Sequence, residues 1–255
     1  NNNLVNLYIT GDTALTILEC SYNQLTSLDV STNISLDELD LEFNQVTTLD
    51  VSNNPALTFL DCHSNSLTDL NVTGATNLDW IDCANNQLTN LDLSTNTNLT
   101  LLRSGFNLLA DLNVSGNHSL SYLGANYNRL VNLNFKNGNN TIVYSFSAVG
   151  NTNLDCIQVD DATYSDTAAG WNKDPAALYN SNCITGITSA YNSISSMTIY
   201  PNPAHNSFTI ESDIDLANAF IEITDHLGNN LYYAPLSRER VVIDNISKPG
   251  FYFIR

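Results

Sequence analysis

Residues 15–35 read LTILECSYNQLTSLDVSTNIS, and residues 36–56 read LDELDLEFNQVTTLDVSNNPA. Laid one above the other, the two lines keep Leu, Asn and a small or apolar residue in the same columns. Working outward, the columns continue in both directions. Leu15, Leu36, Leu57, Leu78, Leu99 and Leu120 recur every 21 residues, as do Leu18, Leu39, Leu60, Ile81, Leu102 and Leu123. Leu28, Leu49, Leu70, Leu91, Leu112 and Leu133 form a third column, and Asn23, Asn44, Asn65, Asn86, Asn107 and Asn128 a fourth. A fixed period of this length means stacked, near-identical structural units. Each unit holds two strand-like halves, such as LTILECSYN and LTSLDVSTN.

The columns carry their own physics. In an extended stretch alternate side chains share a face. Leu18 and Cys20 therefore point inward, while Ile17, Glu19 and Ser21 point outward. One coil has too little apolar surface to close on itself, but stacked coils bury a continuous core. Asn suits the turn because its amide donates and its carbonyl accepts, so stacked Asn side chains form an internal ladder. Loss of one rung is expected to leave backbone groups unpaired, at roughly 1–3 kcal/mol.

These columns resemble a leucine-rich repeat, specifically the short 21-residue class of internalin-type surface proteins, in which one core column carries Cys. Here that column reads Cys20, Leu41, Cys62, Cys83, Ser104 and Ala125. The resemblance covers residues 4–153. The three Cys are read as small buried hydrophobes rather than metal ligands, since ladder residues run in a line and ligands converge. The expected fold is mainly β: a solenoid of about seven coils over residues 1–153, followed by a small Ig-like sandwich.

Residues 4–14 match the second half of a repeat, so a cap or further repeats are expected before residue 1. At the other end the clock weakens. Residues 141–153 are read as keeping the repeat length while replacing its Leu and Asn, and Leu154–Cys156 as returning in phase with the LDV strands. Cys156 and Cys183 flank a stretch without repeat pattern, read as a cap over residues 154–183 closed by a disulfide; two free thiols are the alternative. That paired-Cys cap resembles the one closing many leucine-rich proteins of Bacteroidetes-type bacteria. Residues 184–197, rich in Ser and Thr, read as a linker.

Beyond it, IYPNPAHNSFTI, IEITDHLGN and ISKPGFYFIR resemble the C-terminal sorting domain of type IX secretion cargo, over residues 198–255. The matching positions are Tyr200, Pro201, Asn202 and Pro203, then Asp225 and Gly228, then Gly250 and Tyr252. The resemblance implies export across an outer membrane, attachment to the outer surface of a Gram-negative bacterium, and contact with the secretion machinery. The family ordinarily continues into a Lys-containing strand, so truncation at Arg255 is expected.

Charge narrows the functional classes. The net charge is −18, with 8 basic residues against 26 acidic ones. No Lys or Arg precedes Arg103. Nucleic-acid and anionic-membrane binding need the opposite sign, and no apolar run is long enough to insert in a membrane. No nucleophile elbow, phosphate loop or metal-binding spacing of His and Cys occurs, and a strand face offers no water-excluding pocket, so the chain does not read as an enzyme.

The outward columns of the first half-repeat are the candidate site. One reads Ile17, Glu38, Phe59, Trp80, Leu101, Tyr122; the next Glu19, Asp40, Asp61, Asp82, Arg103, Gly124; the third Ser21, Glu42, His63, Ala84, Gly105, Asn126. An apolar, aromatic stripe thus runs beside an acidic ladder. Carboxylates about 4.8 Å apart repel, so the ladder must accept hydrogen bonds, take a cation such as calcium, or meet a basic partner. Arg103 reaches Asp82 alone. A blander reading leaves the ladder as a solubility device. From these columns we expect ligand binding by Glu19, Glu38, Asp40, Glu42, Phe59, Asp61, His63, Trp80, Asp82, Arg103 and Tyr122. A protein ligand, a polysaccharide, or a mere spacer all fit. Asp12-Thr13-Ala14 and Asp166-Thr167-Ala168 also resemble bacterial O-glycosylation sites.

Overall fold

A computed structural model describes residues 2–183, together with strands at 197–200, 207–212, 219–225, 230–236, 240–244 and 252–254. The chain divides into two units, Asn1–Ile187 and Thr188–Arg255. In the first, a parallel sheet of eight short strands collects one strand from each coil. In spatial order these are Ile17–Glu19, Glu38–Asp40, Phe59–Asp61, Trp80–Asp82, Leu101–Arg103, Tyr122–Gly124, Ser145–Ser147 and Trp171–Asn172. The repeat's second half lies on another face. It forms strands at Thr48–Asp50 and Asp69–Asn71, and again at Asp111–Asn113, Asn132–Asn134, Cys156–Gln158 and Leu178–Asn180.

Each strand is only about three residues long, so its centre carries the burial. Leu39, Leu60, Ile81, Leu102 and Leu123 are completely buried, and their flanks are exposed or half-buried except at Asp82 and Gly124. Leu36, Leu57, Leu78, Leu99 and Leu120 stack beside them. The Cys column is buried throughout: Cys20, Cys62 and Cys83 are free thiols in the core, with Leu41, Ser104 and Ala125 in the same file. Burial raises the Cys20 thiol to about 12 and pushes Cys62 and Cys83 up as well, which keeps them protonated and inert.

The Asn ladder closes the coils. Asn86 Nδ2 donates to the carbonyls of Cys62, Cys83 and Ala84, while its Oδ1 accepts from Leu67 N at 2.9 Å. Asn44, two coils before Asn86, and Asn107, one coil after it, repeat the pattern. A second Asn ladder, not read from the sequence, stands at the end of the other half-repeat. Asn33, Asn54, Asn96 and Asn117 are buried, and each Nδ2 donates to carbonyls of the preceding coil.

The C-terminal coils correct the expected phase. Tyr122 pairs with Ser145, and Leu123 with Phe146, a spacing of 23 rather than 21. Residues 141–153 therefore do not keep the repeat length. The extra residues are taken up around the 3₁₀ turn Asn140–Ile142. By the other face the slip reaches three, because Leu133 pairs with Ile157 and not with Leu154. Asn151 assumes the ladder role, its Oδ1 accepting from Leu130 N and its Nδ2 bonding Ala125 and Ala148 carbonyls.

The stretch 154–183 adds one strand, Trp171–Asn172, to the first face and two, Cys156–Gln158 and Leu178–Asn180, to the second, around a short helix, Ala162–Thr167, capped by Asp161. Its packing replaces Leu with rings: Phe135, Phe146, Trp171 and Tyr179 form one cluster. Two carboxylates clamp it to the coil before. Asp160 accepts from Gly138 and Asn140 N–H groups, and Asp174 from Gly150 and Asn151. Cys156 and Cys183 are disulfide-bonded, their Cα atoms 5.8 Å apart. Closing a loop of that length stabilises by about 3–4 kcal/mol in the chain-entropy model.

The second unit carries two three-stranded antiparallel sheets. One orders Met197–Tyr200, Ser207–Ser212 and Arg240–Asp244; the other Asn230–Leu236, Ala219–Asp225 and Tyr252–Ile254. Tyr200 and Tyr252 are strand residues. Pro201, Asn202, Pro203, Gly228 and Gly250, and linker residues 184–196, lie outside the described residues. Among the described residues no helix is long and apolar enough to cross a membrane.

Candidate functional site

The eight-stranded sheet places the expected columns side by side. Glu38 pairs with Phe59, Phe59 with Trp80, Trp80 with Leu101, and Leu101 with Tyr122, so the apolar column from Phe59 to Tyr122 is continuous across four coils. Its rings are in contact rather than isolated. Phe59 and Trp80 lie with centroids 5.1 Å apart. Arg103 then lays its guanidinium over both Trp80, at 5.6 Å, and Tyr122, at 5.3 Å. Tyr144 extends the row, 5.9 Å from Tyr122. The stripe is therefore half-buried by mutual packing, with an Arg set into it. Trp80 Nε1 is buried and has no hydrogen-bond partner among the described residues.

The acidic ladder turns out to be hydrogen-bonded. Oδ1 of Asp40, Asp61 and Asp82 each accepts the N–H two residues on, from Glu42, His63 and Ala84. An Asp is thus the residue that closes the strand end, as its side chain bonds the backbone locally. Asp82, only 5% exposed, also meets Arg103 Nη1 at 3.3 Å. Glu19 and Glu38 are exposed.

His63 draws three of the expected residues together. Its Nδ1 is 2.6 Å from Asp61 Oδ1, and its Nε2 is 3.0 Å from Glu42 Oε2 on the neighbouring coil. Burial pulls the His63 pKa down, but the Asp61 hydrogen bond and the charges of Asp61, Asp82 and Glu42 outweigh it and hold it above its ordinary value. Desolvation raises both carboxyls: Glu42, helped by Asp40 and Asp61, and Asp61, helped by Asp82.

One feature was not read from the sequence. Tyr22, Phe43, Ser64, Asn85, Phe106 and Tyr127, at the strand ends, all adopt left-handed backbone with φ between 50° and 55°. For non-Gly residues this conformation costs about 1–2 kcal/mol each. The Asn that follows offsets it by tying down the turn, as Asn23 does through the carbonyls of Cys20 and Ser21. The turn lifts four rings to the rim in two stacked pairs, Tyr22–Phe43 at 4.5 Å and Phe106–Tyr127 at 4.6 Å. These rings are 42–54% exposed, more than the central stripe. The spacing of these aromatics was visible in sequence; the backbone sign that turns them outward was not.

Comparison with known proteins fits this geometry. Residues 198–255 match the family model of the secretion system C-terminal sorting domain. The functional domain of InlJ from Listeria monocytogenes, a structure that includes a cysteine ladder, aligns at 32% identity over 72% of this chain, with a TM-score of 0.51. The chain spans 38% of that InlJ chain. A leucine-rich-repeat protein of Leptospira interrogans aligns at 20% identity over 65% of this chain and 43% of its own, with a TM-score of 0.47. No curated protein sequence matches. The solenoid is a leucine-rich repeat with a cysteine ladder, and the sorting domain makes the chain a secreted, cell-surface-associated protein.

Proposed function

Starting from a leucine-rich-repeat solenoid joined to a type IX sorting domain, we propose that this chain is a recognition protein that binds another protein through its eight-stranded face. Export delivers it to the outer surface of a Gram-negative bacterium, where the sorting domain meets the secretion machinery. The observation that carries the reading is the row Phe59–Trp80–Arg103–Tyr122, rings and a guanidinium in one strip beside hydrogen-bonded carboxylates. Trp, Tyr and Arg are the residues that dominate protein interfaces. The carboxylates around them favour a basic partner, with an affinity that falls as salt rises.

The reading is of a binding role, because the groups with acid–base chemistry stand on an open sheet face rather than in a water-excluding cleft. A polysaccharide is the second reading, favoured by the two exposed stacked ring pairs at the rim, whose edges and faces suit sugar rings. The test is an array of purified surface and matrix proteins beside purified polysaccharides, probed with the full chain and with Trp80→Ala. A protein hit that weakens with salt and is lost in the variant supports the reading. A salt-tolerant polysaccharide hit lost in the variant favours the second. A chain that binds nothing on the array acts as a spacer.

A further inference from the structure

Among the described residues one grouping brings three metal-ligating side chains together: Glu42, Asp61 and His63, each offering a ligand atom within 4.8 Å of the others. We propose that these residues form a site for a divalent transition ion of the zinc type, with His63 Nε2 and the Glu42 carboxylate as ligands and Asp61 as the residue that positions the imidazole. The inference is independent of what the strand face recognises.

The argument begins with the two ring nitrogens. An imidazole binds a metal through one nitrogen while the other donates N–H to a fixed acceptor, commonly a carboxylate, which sets tautomer and ring orientation. His63 has that division of labour built in. Nδ1 faces Asp61 Oδ1 at 2.6 Å, and that oxygen is itself held by the His63 backbone N–H at 3.1 Å. Nε2 faces Glu42 Oε2 at 3.0 Å. An ion with ligand bonds of about 2.1 Å separates adjacent tetrahedral donors by about 3.4 Å, so the ion enters this gap with a small outward shift of the Glu42 carboxylate. The ion replaces the proton shared between Nε2 and Glu42, and that proton leaves to solvent.

The surroundings hold the parts in place. The Phe43 ring packs edge-on against the imidazole at 5.0 Å. The Tyr22 ring, one coil before Phe43, stacks on it in turn at 4.5 Å. Asp40 and Asp82 add negative charge without occupying the gap, because their Oδ1 atoms bond backbone N–H groups. Imidazole with carboxylate suits zinc-type ions better than calcium, which takes six to eight oxygens and no nitrogen. In the same column the coil before puts Glu42, the second ligand, and the remaining coils put Ser21, Ala84, Gly105 and Asn126, so the column brings His and a carboxylate together once.

The test uses the full chain stripped with a chelator and titrated with zinc in competition with a chromophoric chelator, while imidazole resonances are followed by NMR. The expected result is one saturable equivalent and a shift confined to the His63 ring. Binding weakens about 10–100-fold in His63→Gln, Glu42→Gln and Asp61→Asn, is unchanged in His118→Gln, and calcium does not compete. Thermal midpoints of the variants confirm that they fold. No saturable zinc binding up to about a millimolar would overturn the proposal. So would binding that survives in both His63→Gln and Glu42→Gln, or a shift on another histidine.

Discussion

The two faces of each coil are written in nearly the same letters and behave differently. LECSYN, LDLEFN and LDCHSN lead into the eight-stranded face; LDVSTN, LDVSNN and LDLSTN lead into the other. Apart from Glu19 in LECSYN, both place Asp after the core Leu or Ile, and on both faces that Asp accepts an N–H two residues on. On the second face the donor is a Ser. Its hydroxyl and backbone N–H draw Asp29 and Asp50 below their ordinary range, and the backbone N–H and then the hydroxyl of Ser94 do the same for Asp92. On the first face the neighbours are Glu42, His63 and Trp80, and desolvation raises Asp61 instead. One motif thus serves as a solvated turn lock on one side and as part of a crowded, half-buried surface on the other. Identical repeat positions acquire different surroundings from what the variable columns place beside them.

The ladders behind the two faces offer the sharpest way to break this comparison. In the first, both ends of the amide are used; in the second, Oδ1 of Asn33, Asn54 and Asn96 has no partner among the described residues. The second file also tolerates a missing rung, since Ala75 stands where the others have Asn. Asn86→Ala is therefore expected to cost about 3 kcal/mol in urea unfolding, and Asn54→Ala about 1–2 kcal/mol. Equal losses would mean that the two faces are locked alike.

The aspartates come next in size. Asp82→Ala strips a buried carboxylate from the Ala84 N–H and from Arg103, and should cost about 2 kcal/mol. Asp50→Ala, on the exposed second face, should cost about 0.5 kcal/mol. A reversed order would remove the distinction between buried surface and solvated lock.

Acid gives the smallest effect. The folded pKa values of Asp29, Asp50 and Asp92 lie below 3.8, so the stability these carboxylates add is complete above that value. It is lost as pH falls through their lower, folded values. Thermal midpoints from pH 7 down to about pH 3 should therefore decline less in the triple Asp→Ala variant than in the parent. Parallel curves would show that the second-face locks add nothing.

Much of this was legible in advance, for a physical reason. Stacked coils must repeat whatever they bury, so Leu36, Leu57 and Leu78, the Asn23 file and the Cys ladder announce themselves by period. What lacks a period stayed hidden. The phase slips by two residues before Phe146, around a 3₁₀ turn that no column marks, and by one more before Ile157, so that Ile157 and not Leu154 takes the expected strand position. The strands in 154–183 are held by rings, by Asp160 and Asp174, and by the disulfide, none of which repeats. The candidate surface was half legible. Its columns could be listed, but the Arg103 inlay and the outward rim rings depend on side-chain and backbone conformations that spacing leaves open.

The most direct test of a functional difference between the faces is a matched pair of surface variants. Trp80→Ala with Tyr122→Ala alters the first face, and Asp50→Ala with Asp92→Ala the second. Both, with the parent, are probed against the same array of surface proteins, matrix proteins and polysaccharides, after circular dichroism and a cooperative thermal transition show that all three are folded at the assay temperature. The account predicts that every specific hit of the parent is lost in the first variant and kept in the second. Hits that persist without Trp80 and Tyr122, or that vanish when only Asp50 and Asp92 are changed, would contradict it.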